Sequence, residues 1–166
     1  ATNDGGFGLA RALGWIFRDA AGTEIRAWTG LDRLATAAPP ARSFGLAQTV
    51  IAVDVANPLL GPHGATRVYG PQKGLRPDEL ARAEKCLTRL AETLRARRGL
   101  AAEQEPGAGA AGGLGYGLKV FAGGEFRPGA DVFAEMTDLE RKIRQADLVI
   151  TGEGALDEQS RMGKGT

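Results

Sequence analysis

The sequence predicts an α/β fold. Two β-branched apolar stretches, residues 49–53 (Thr-Val-Ile-Ala-Val) and 147–151 (Asp-Leu-Val-Ile-Thr), read as buried strands. A long amphipathic stretch at 77–98 separates them, and strands interleaved with helices define the class. The chain also carries 25 glycines, about twice the usual share of ~7%. They gather at 5–8, 61–74, 107–117 and 152–165 with no fixed period, which marks loops where backbone approaches something closely.

From the N-terminus, Asn3-Asp4 followed by Gly5-Gly6-Phe7 predicts a capped short helix. Asp or Asn can accept from the free N–H groups of a first turn, and Gly14 suits the residue after the last. Residues 15–18 and 23–28 read as a hairpin closed at Gly22. Residues 31–35 read as a short helix before the Pro39-Pro40 loop. The strand at 49–53 ends at Asp54-Val55-Ala56-Asn57-Pro58, where polarity returns and proline stops the ladder. A loop over 61–74 contains a helical turn near 65–69.

The helix over 77–98 is the clearest element. Pro77 stands at its first position, and Asp78 and Glu79 lie in its first turn. Leu80, Ala83, Leu87, Leu90 and Leu94 form one apolar stripe, with Cys86 beside it as a packing residue. Arg95, Arg97 and Arg98 in the last turn complement the helix dipole. Residues 107–121 read as a loop running into a helix, and 131–145 as helix broken near Thr137-Asp138.

Composition narrows the function. Net charge is +1 and aromatics are 6%, so no basic, aromatic-studded face for nucleic acid is present. No apolar run approaches the ~20 residues that span a membrane. A single cysteine excludes an internal disulfide framework, and with the single histidine it cannot build a structural zinc site. His63 reads as an exposed loop residue.

In open α/β sheets ligands sit beyond the carboxyl ends of strands. Asp54 and Glu153 both follow an apolar strand there, and a carboxylate can hold magnesium or take a proton from a hydroxyl. Loop capping or turn solvation is the alternative for each. Lys73, in Pro71-Gln72-Lys73-Gly74, offers a point charge for phosphate or is a solvated surface lysine. Residues 107–112 match G-x-G-x-x-G, but Ala101-Ala102-Glu103-Gln104-Glu105-Pro106 is no strand, so a dinucleotide fingerprint is rejected. Two readings of these glycines stay open: N–H groups cradling an anion, or close packing. No P-loop and no G-x-S-x-G elbow occur.

Five strings, in order, carry a resemblance: Ala1-Thr2-Asn3-Asp4-Gly5-Gly6; Asp54-Val55-Ala56-Asn57-Pro58-Leu59-Leu60-Gly61-Pro62-His63-Gly64-Ala65; Tyr69-Gly70-Pro71-Gln72-Lys73-Gly74; Pro106-Gly107-Ala108-Gly109-Ala110-Ala111-Gly112-Gly113-Leu114-Gly115; and Ala146-Asp147-Leu148-Val149-Ile150-Thr151-Gly152-Glu153-Gly154-Ala155-Leu156-Asp157. The whole chain resembles the bacterial glycerate kinase family. Departures are few: Val53 and Ala56 stand where cysteine and aspartate are frequent, and Tyr69 where phenylalanine is usual.

The resemblance implies ATP-dependent phosphorylation of D-glycerate with Mg2+, in the cytoplasm, by a two-domain α/β enzyme. Residues 1–146 would be mostly its inserted, restriction-endonuclease-like α/β domain, the first of them belonging to the flavodoxin-like domain if the boundary falls later. Residues 147–166 would begin the return to the flavodoxin-like domain. Partners would be D-glycerate and ATP, with neither nucleic acid nor membrane, and a homodimer is allowed but not selected. Asp54 and Lys73 are the expected catalytic residues. Asn3, Asp4, Gly5, Gly6, Asn57, Gln72, Gly107, Gly109, Gly112 and Gly113 are expected to line the substrate and nucleotide cleft. Glu153 and Asp157 are expected at the metal. Because the chain opens without Met and stops in a loop, we expect a portion lacking the family's N- and C-terminal parts, inactive alone; the alternatives are a non-catalytic truncated fragment and a kinase of another small hydroxy acid.

Overall fold

In the computed structural model, residues 2–42, 48–99, 101–150 and 152 are described. Helix α1 (Phe7–Ala12) forms where expected. The Asp4 carboxylate precedes it and accepts from the N–H groups of Gly6 (3.0 Å) and Gly8 (2.9 Å). Gly14 closes it with φ 86°, a conformation that costs a residue with a Cβ.

Strand β1 (Ile16–Asp19) does not pair mainly with 23–28. Asp19 Oδ1 accepts from the N–H groups of Ala21 and Thr23 and turns the chain, but the return makes only one bridge, Arg18 to Glu24. The antiparallel partner is β2 (Leu34–Ala38), in register Phe17 with Ala37. The expected helix over 31–35 is therefore corrected to a 3-10 helix at Trp28–Arg33 followed by this strand. Leu-Ala-Thr-Ala-Ala has good intrinsic helix formers, and tertiary pairing that buries Leu34 and Ala37 overrides them.

Strand β3 (Val50–Val53) is confirmed, but not as a fully buried strand. Ile51 is buried while Val50 is 50% exposed. Its parallel partner is β4 (Glu125–Pro128), running from Val50 with Glu125 to Val53 with Pro128. The sequence predicts no strand there, because the four residues Glu125–Pro128 after Gly123-Gly124 carry no periodic signal.

Helix α2 (Ala65–Tyr69) is as expected. Helix α3 (Leu80–Arg98) begins three residues later than the sequence suggests. Asp78 and Glu79 instead serve Arg76: Glu79 Oε2 accepts from its N–H at 2.9 Å, and Asp78 pairs with its guanidinium. Gly99 ends α3 in the left-handed conformation. Ala83, Cys86, Leu87, Leu90 and Leu94 are buried, so the stripe faces the core. Phe7, Trp15, Phe17 and Phe121 stack in that core, with ring centroids 4.8 to 6.1 Å apart.

Helix α4 (Ala110–Ala122) begins within the third glycine cluster and is interrupted by left-handed residues at Ala111–Gly113. Helices α5 (Gly129–Thr137) and α6 (Leu139–Gln145) are split at Asp138, whose φ is 51°, the expected break. Residues 147–150 are not a buried strand. They have no strand partner among the described residues, and Leu148, Val149 and Ile150 are 76%, 50% and 86% exposed. A strand needs a neighbouring backbone, which an apolar run cannot supply by itself.

Leu90 connects this core to the loops above it, because a Cβ on Gly5 would sit 3.0 Å from its Cδ2. Leu90→Ala should cost about 2–5 kcal/mol, the usual range for a buried leucine. Urea unfolding of the wild-type chain and the variant checks it; a change in midpoint with an unchanged m-value is the expected result.

Candidate active site

The glycines at 107–113 form a hub on which the other loops converge. Gly107 has φ 91°, and a Cβ there would lie 2.9 Å from Val53 Cγ2 on β3. The Gly109 N–H donates to the Asn57 carbonyl at 2.9 Å, and a Cβ at Gly109 would overlap the Pro58 carbonyl oxygen. Ala111, Gly112 and Gly113 follow in left-handed conformation, at φ 53°, 75° and 85°. Gly112 packs against the backbone of Thr2 and Asn3, and Gly113 against Leu59 and Gly5. The Gly5 N–H donates to the Gly112 carbonyl at 3.2 Å. Gly6 meets Gly117 further along α4, where a Cβ would come within 2.5 Å of its Cα.

The hub's N–H groups are largely committed. Gly112 and Gly113 N–H both donate to the Gly109 carbonyl, and Gly109 N–H to Asn57. Of the two readings left open, close packing is what these contacts display at 109, 112 and 113. The segment before the hub is a 3-10 helix, Ala102–Gln104, not a strand, in keeping with the rejected dinucleotide fingerprint. Glu103 in that turn is buried and ion-paired with Arg95 at the end of α3, which fixes the approach to the hub.

On one side of the hub stands Lys73, at the end of a 3-10 helix (Pro71–Lys73). Its Nζ donates to the Thr2 carbonyl at 3.2 Å, and Gly112 leaves room for it: a Cβ there would be 2.5 Å from Nζ. Partial burial lowers the Lys73 pKa, while the nearby Asp4 carboxylate opposes the shift. Asn3, 2% exposed, donates through Nδ2 to Thr66 Oγ1 at 3.0 Å, and its Oδ1 has no hydrogen-bond partner among the described residues. Asp4 sits beside them, but both its carboxylate oxygens accept from the start of α1, so its first task is to cap that helix. Gln72 is exposed next to Lys73.

On the other side stands Asp54, exposed just beyond β3. Asn57 holds the following loop: Nδ2 donates to the His63 carbonyl at 2.8 Å and Oδ1 accepts from the Tyr69 hydroxyl at 2.7 Å. The Tyr69 pKa is raised, by burial first and by the Asp54 charge second, so the phenol stays a donor. His63 is an exposed loop residue, as expected, and Cys86 is buried packing.

A cavity of about 390 Å³ opens beyond the carboxyl ends of β3 and β4, lined by Val53, Asp54, Val55, Ala56, Glu105, Pro106, Phe126, Arg127 and Pro128. Most of its wall is apolar, with three charged groups among it. Glu105 is neutralised by Lys119 at 3.1 Å. Arg127 grips Glu135 of α5 with two parallel bonds and holds that carboxyl below the usual range. Asp54 has no ion pair among the described residues. The expected residues thus fall into two groups joined by the hub: Asn3, Asp4, Gly5, Gly6, Lys73, Gly112 and Gly113, and then Asp54, Asn57, Gly107 and Gly109. Glu153 and Asp157 lie outside the described residues, among which no cluster of three metal-ligating side chains occurs. Thr66 and Arg127 were not anticipated. Thr66 carries no pattern, and Arg127 sits on the strand that the sequence did not reveal.

The model of the glycerate kinase family matches residues 1–166. A glycerate kinase of Bacillus subtilis is 41% identical over 167 residues, covering 99% of this chain and 44% of its own length. A glycerate 2-kinase of Escherichia coli matches equally, at 41% identity with the same coverage. The crystal structure of a glycerate kinase 2 from Salmonella typhimurium superposes with a TM-score of 0.83 at 39% identity, over 99% of this chain and 45% of that one. The chain therefore spans less than half the length of these relatives. Its ordered sequence blocks, its fold and its full-length match to the family place it in one group: this chain belongs to the glycerate kinase family.

Proposed function

We propose that, in the full-length protein, this chain contributes to the ATP-dependent phosphorylation of D-glycerate. The observation that carries the reading is the convergence of Thr2–Asn3, Gly5, Lys73 and Asn57 on one glycine hub, beside the Asp54 cavity, in a chain of this family. On the same reading, residues 1–146 are mostly the inserted α/β domain. The exposed apolar residues 148–150 begin the return to the flavodoxin-like domain, whose sheet would give them strand neighbours.

Phosphoryl transfer needs positioning and charge neutralisation more than covalent chemistry. Asp54 takes the proton of the glycerate hydroxyl as that oxygen bonds to the γ-phosphorus and the bond to the ADP oxygen breaks. Lys73 offsets negative charge on phosphate or on the glycerate carboxylate, held in place by the Thr2 carbonyl. Asn3, bonded to Thr66, keeps Thr2 where Lys73 can reach it. Magnesium is held by one or two carboxylates and completed by phosphate and water. Asp54, exposed at the cavity without an ion pair, suits that donor set as the alternative to its role as base, with Glu153 and Asp157 as further candidates. When bound, the ion would neutralise charge on the transferred group.

A coupled ADP-release assay on the full-length enzyme, with D-glycerate and a panel of other small hydroxy acids, tests the reading. D-glycerate should give the highest kcat/KM, with 2-phosphoglycerate as product, after the name of the E. coli relative. A better substrate elsewhere in the panel would move the assignment to another acid; no ADP release with any of them would end it. Lys73→Ala should lower kcat/KM on the order of 10–100-fold, the worth of one charge-assisted hydrogen bond. Near-normal kinetics would return Lys73 to the solvated surface.

A further inference from the structure

We propose that Arg127 anchors the carboxylate of the hydroxy acid in the cavity beyond β3 and β4, with Glu135 occupying its guanidinium until substrate arrives. The inference rests on the kinase reading above and assigns that reaction a residue which sequence analysis did not single out.

The cavity's charges lead to this assignment. A small hydroxy acid presents an anion at one end and a hydroxyl at the other. Asp54 on the wall can receive the hydroxyl but repels the anion. Glu105 repels it too, except that Lys119 already neutralises it. Arg127 is the one cation on the described wall. Its position follows from register: Ala52 pairs with Arg127 and Val53 with Pro128, so Arg127 and Asp54 reach the same end of the parallel pair from adjacent strands. The remaining wall, from Val53, Val55, Ala56, Pro106, Phe126 and Pro128, is apolar and offers an anion no other partner.

Glu135 shows that this guanidinium accepts a carboxylate in a two-point grip. The pair is on the surface, with side chains 38% and 63% exposed, so its contribution to stability is small. That makes it cheap to open. A guanidinium has five N–H donors, and Glu135 uses two of them, so a second carboxylate can join or replace the first.

The experiment uses the full-length enzyme and compares wild type, Arg127→Ala, Arg127→Lys and Glu135→Ala, by steady-state kinetics and by calorimetric titration with D-glycerate. The expected result for Arg127→Ala is a KM for D-glycerate raised on the order of 10–100-fold, with KM for ATP unchanged. Arg127→Lys should recover part of the loss, because lysine restores the charge without the fork. Glu135→Ala should leave the KM for D-glycerate equal or lower. A merely structural pair predicts otherwise, since either alanine breaks it equally. Matching KM increases in both alanine variants, or an unchanged KM in Arg127→Ala, would overturn the proposal. If the wild type binds D-glycerate without turnover and Arg127→Ala loses that binding, the anchor stands and the kinase reading falls. If turnover persists with Arg127→Ala unaffected, the kinase reading stands and the anchor falls.

Discussion

Asp54→Asn should lower kcat for D-glycerate phosphorylation by about 10²–10⁴-fold in the full-length enzyme, the range for losing a positioned general base. The substitution keeps the size and removes the charge. Asp54 is exposed at the end of β3, and the following loop is held by Asn57 through His63 and Tyr69. Folding should therefore be nearly unaffected, and urea midpoints of the two proteins should coincide. Substrate KM should change much less than kcat, because the proton moves only in the transition state. The two roles open to Asp54 separate in the same experiment. A base predicts a kcat that stays low at every magnesium concentration. A magnesium ligand predicts a raised magnesium requirement, partly rescued by excess metal. Unchanged kcat would return Asp54 to a solvated strand end.

What could be read from the sequence was whatever is local. The cap at Asp4, the stripe of α3, the break at Asp138 and the glycine ends at Gly14 and Gly99 each depend on residues within one or two turns. What escaped depends on distant partners. β2 has the composition of a helix and becomes a strand because β1 lies beside it. β4 is too short to show a period and exists only because β3 offers a ladder. The reverse error occurs at 147–150, where a strand-like run has no described neighbour. The site divides in the same way. Asp54 and Lys73 are candidates on residue chemistry and on the family's strings. Arg127 was missed because it sits on the strand that was missed, and Thr66 because its only distinction is a bond to a residue 63 positions away. The glycines at 107–113 were recognised as a cluster, yet sequence alone could not choose between cradling an anion and admitting backbone. That choice requires knowing which carbonyl stands opposite each Cα.

Gly112→Ala tests the choice, and we expect it to be the most disruptive alanine substitution among the described glycines. Two costs add at this position. The residue has φ 75°, which costs a residue with a Cβ about 1–2 kcal/mol. The new methyl would also overlap the Thr2 carbonyl oxygen and lie 2.5 Å from Lys73 Nζ. Lysine can swing aside, but the Thr2 carbonyl is backbone, tied through Asn3 to Thr66, so the clash adds about 1–3 kcal/mol of its own. Gly123→Ala separates the two terms. Gly123 ends the same helix with φ 72°, and nothing lies within 4 Å of its Cβ position, so it should show the backbone cost alone. The difference between the two variants in urea unfolding then measures how closely Thr2 must approach the hub. In the full-length enzyme, Gly112→Ala should also depress kcat/KM by displacing Lys73, whereas Gly123→Ala should not. Equal destabilisation by the two variants would mean that the hub has room to spare. The glycines would then be there for their dihedral angles and not for the contact that brings Lys73 to the N-terminal loop.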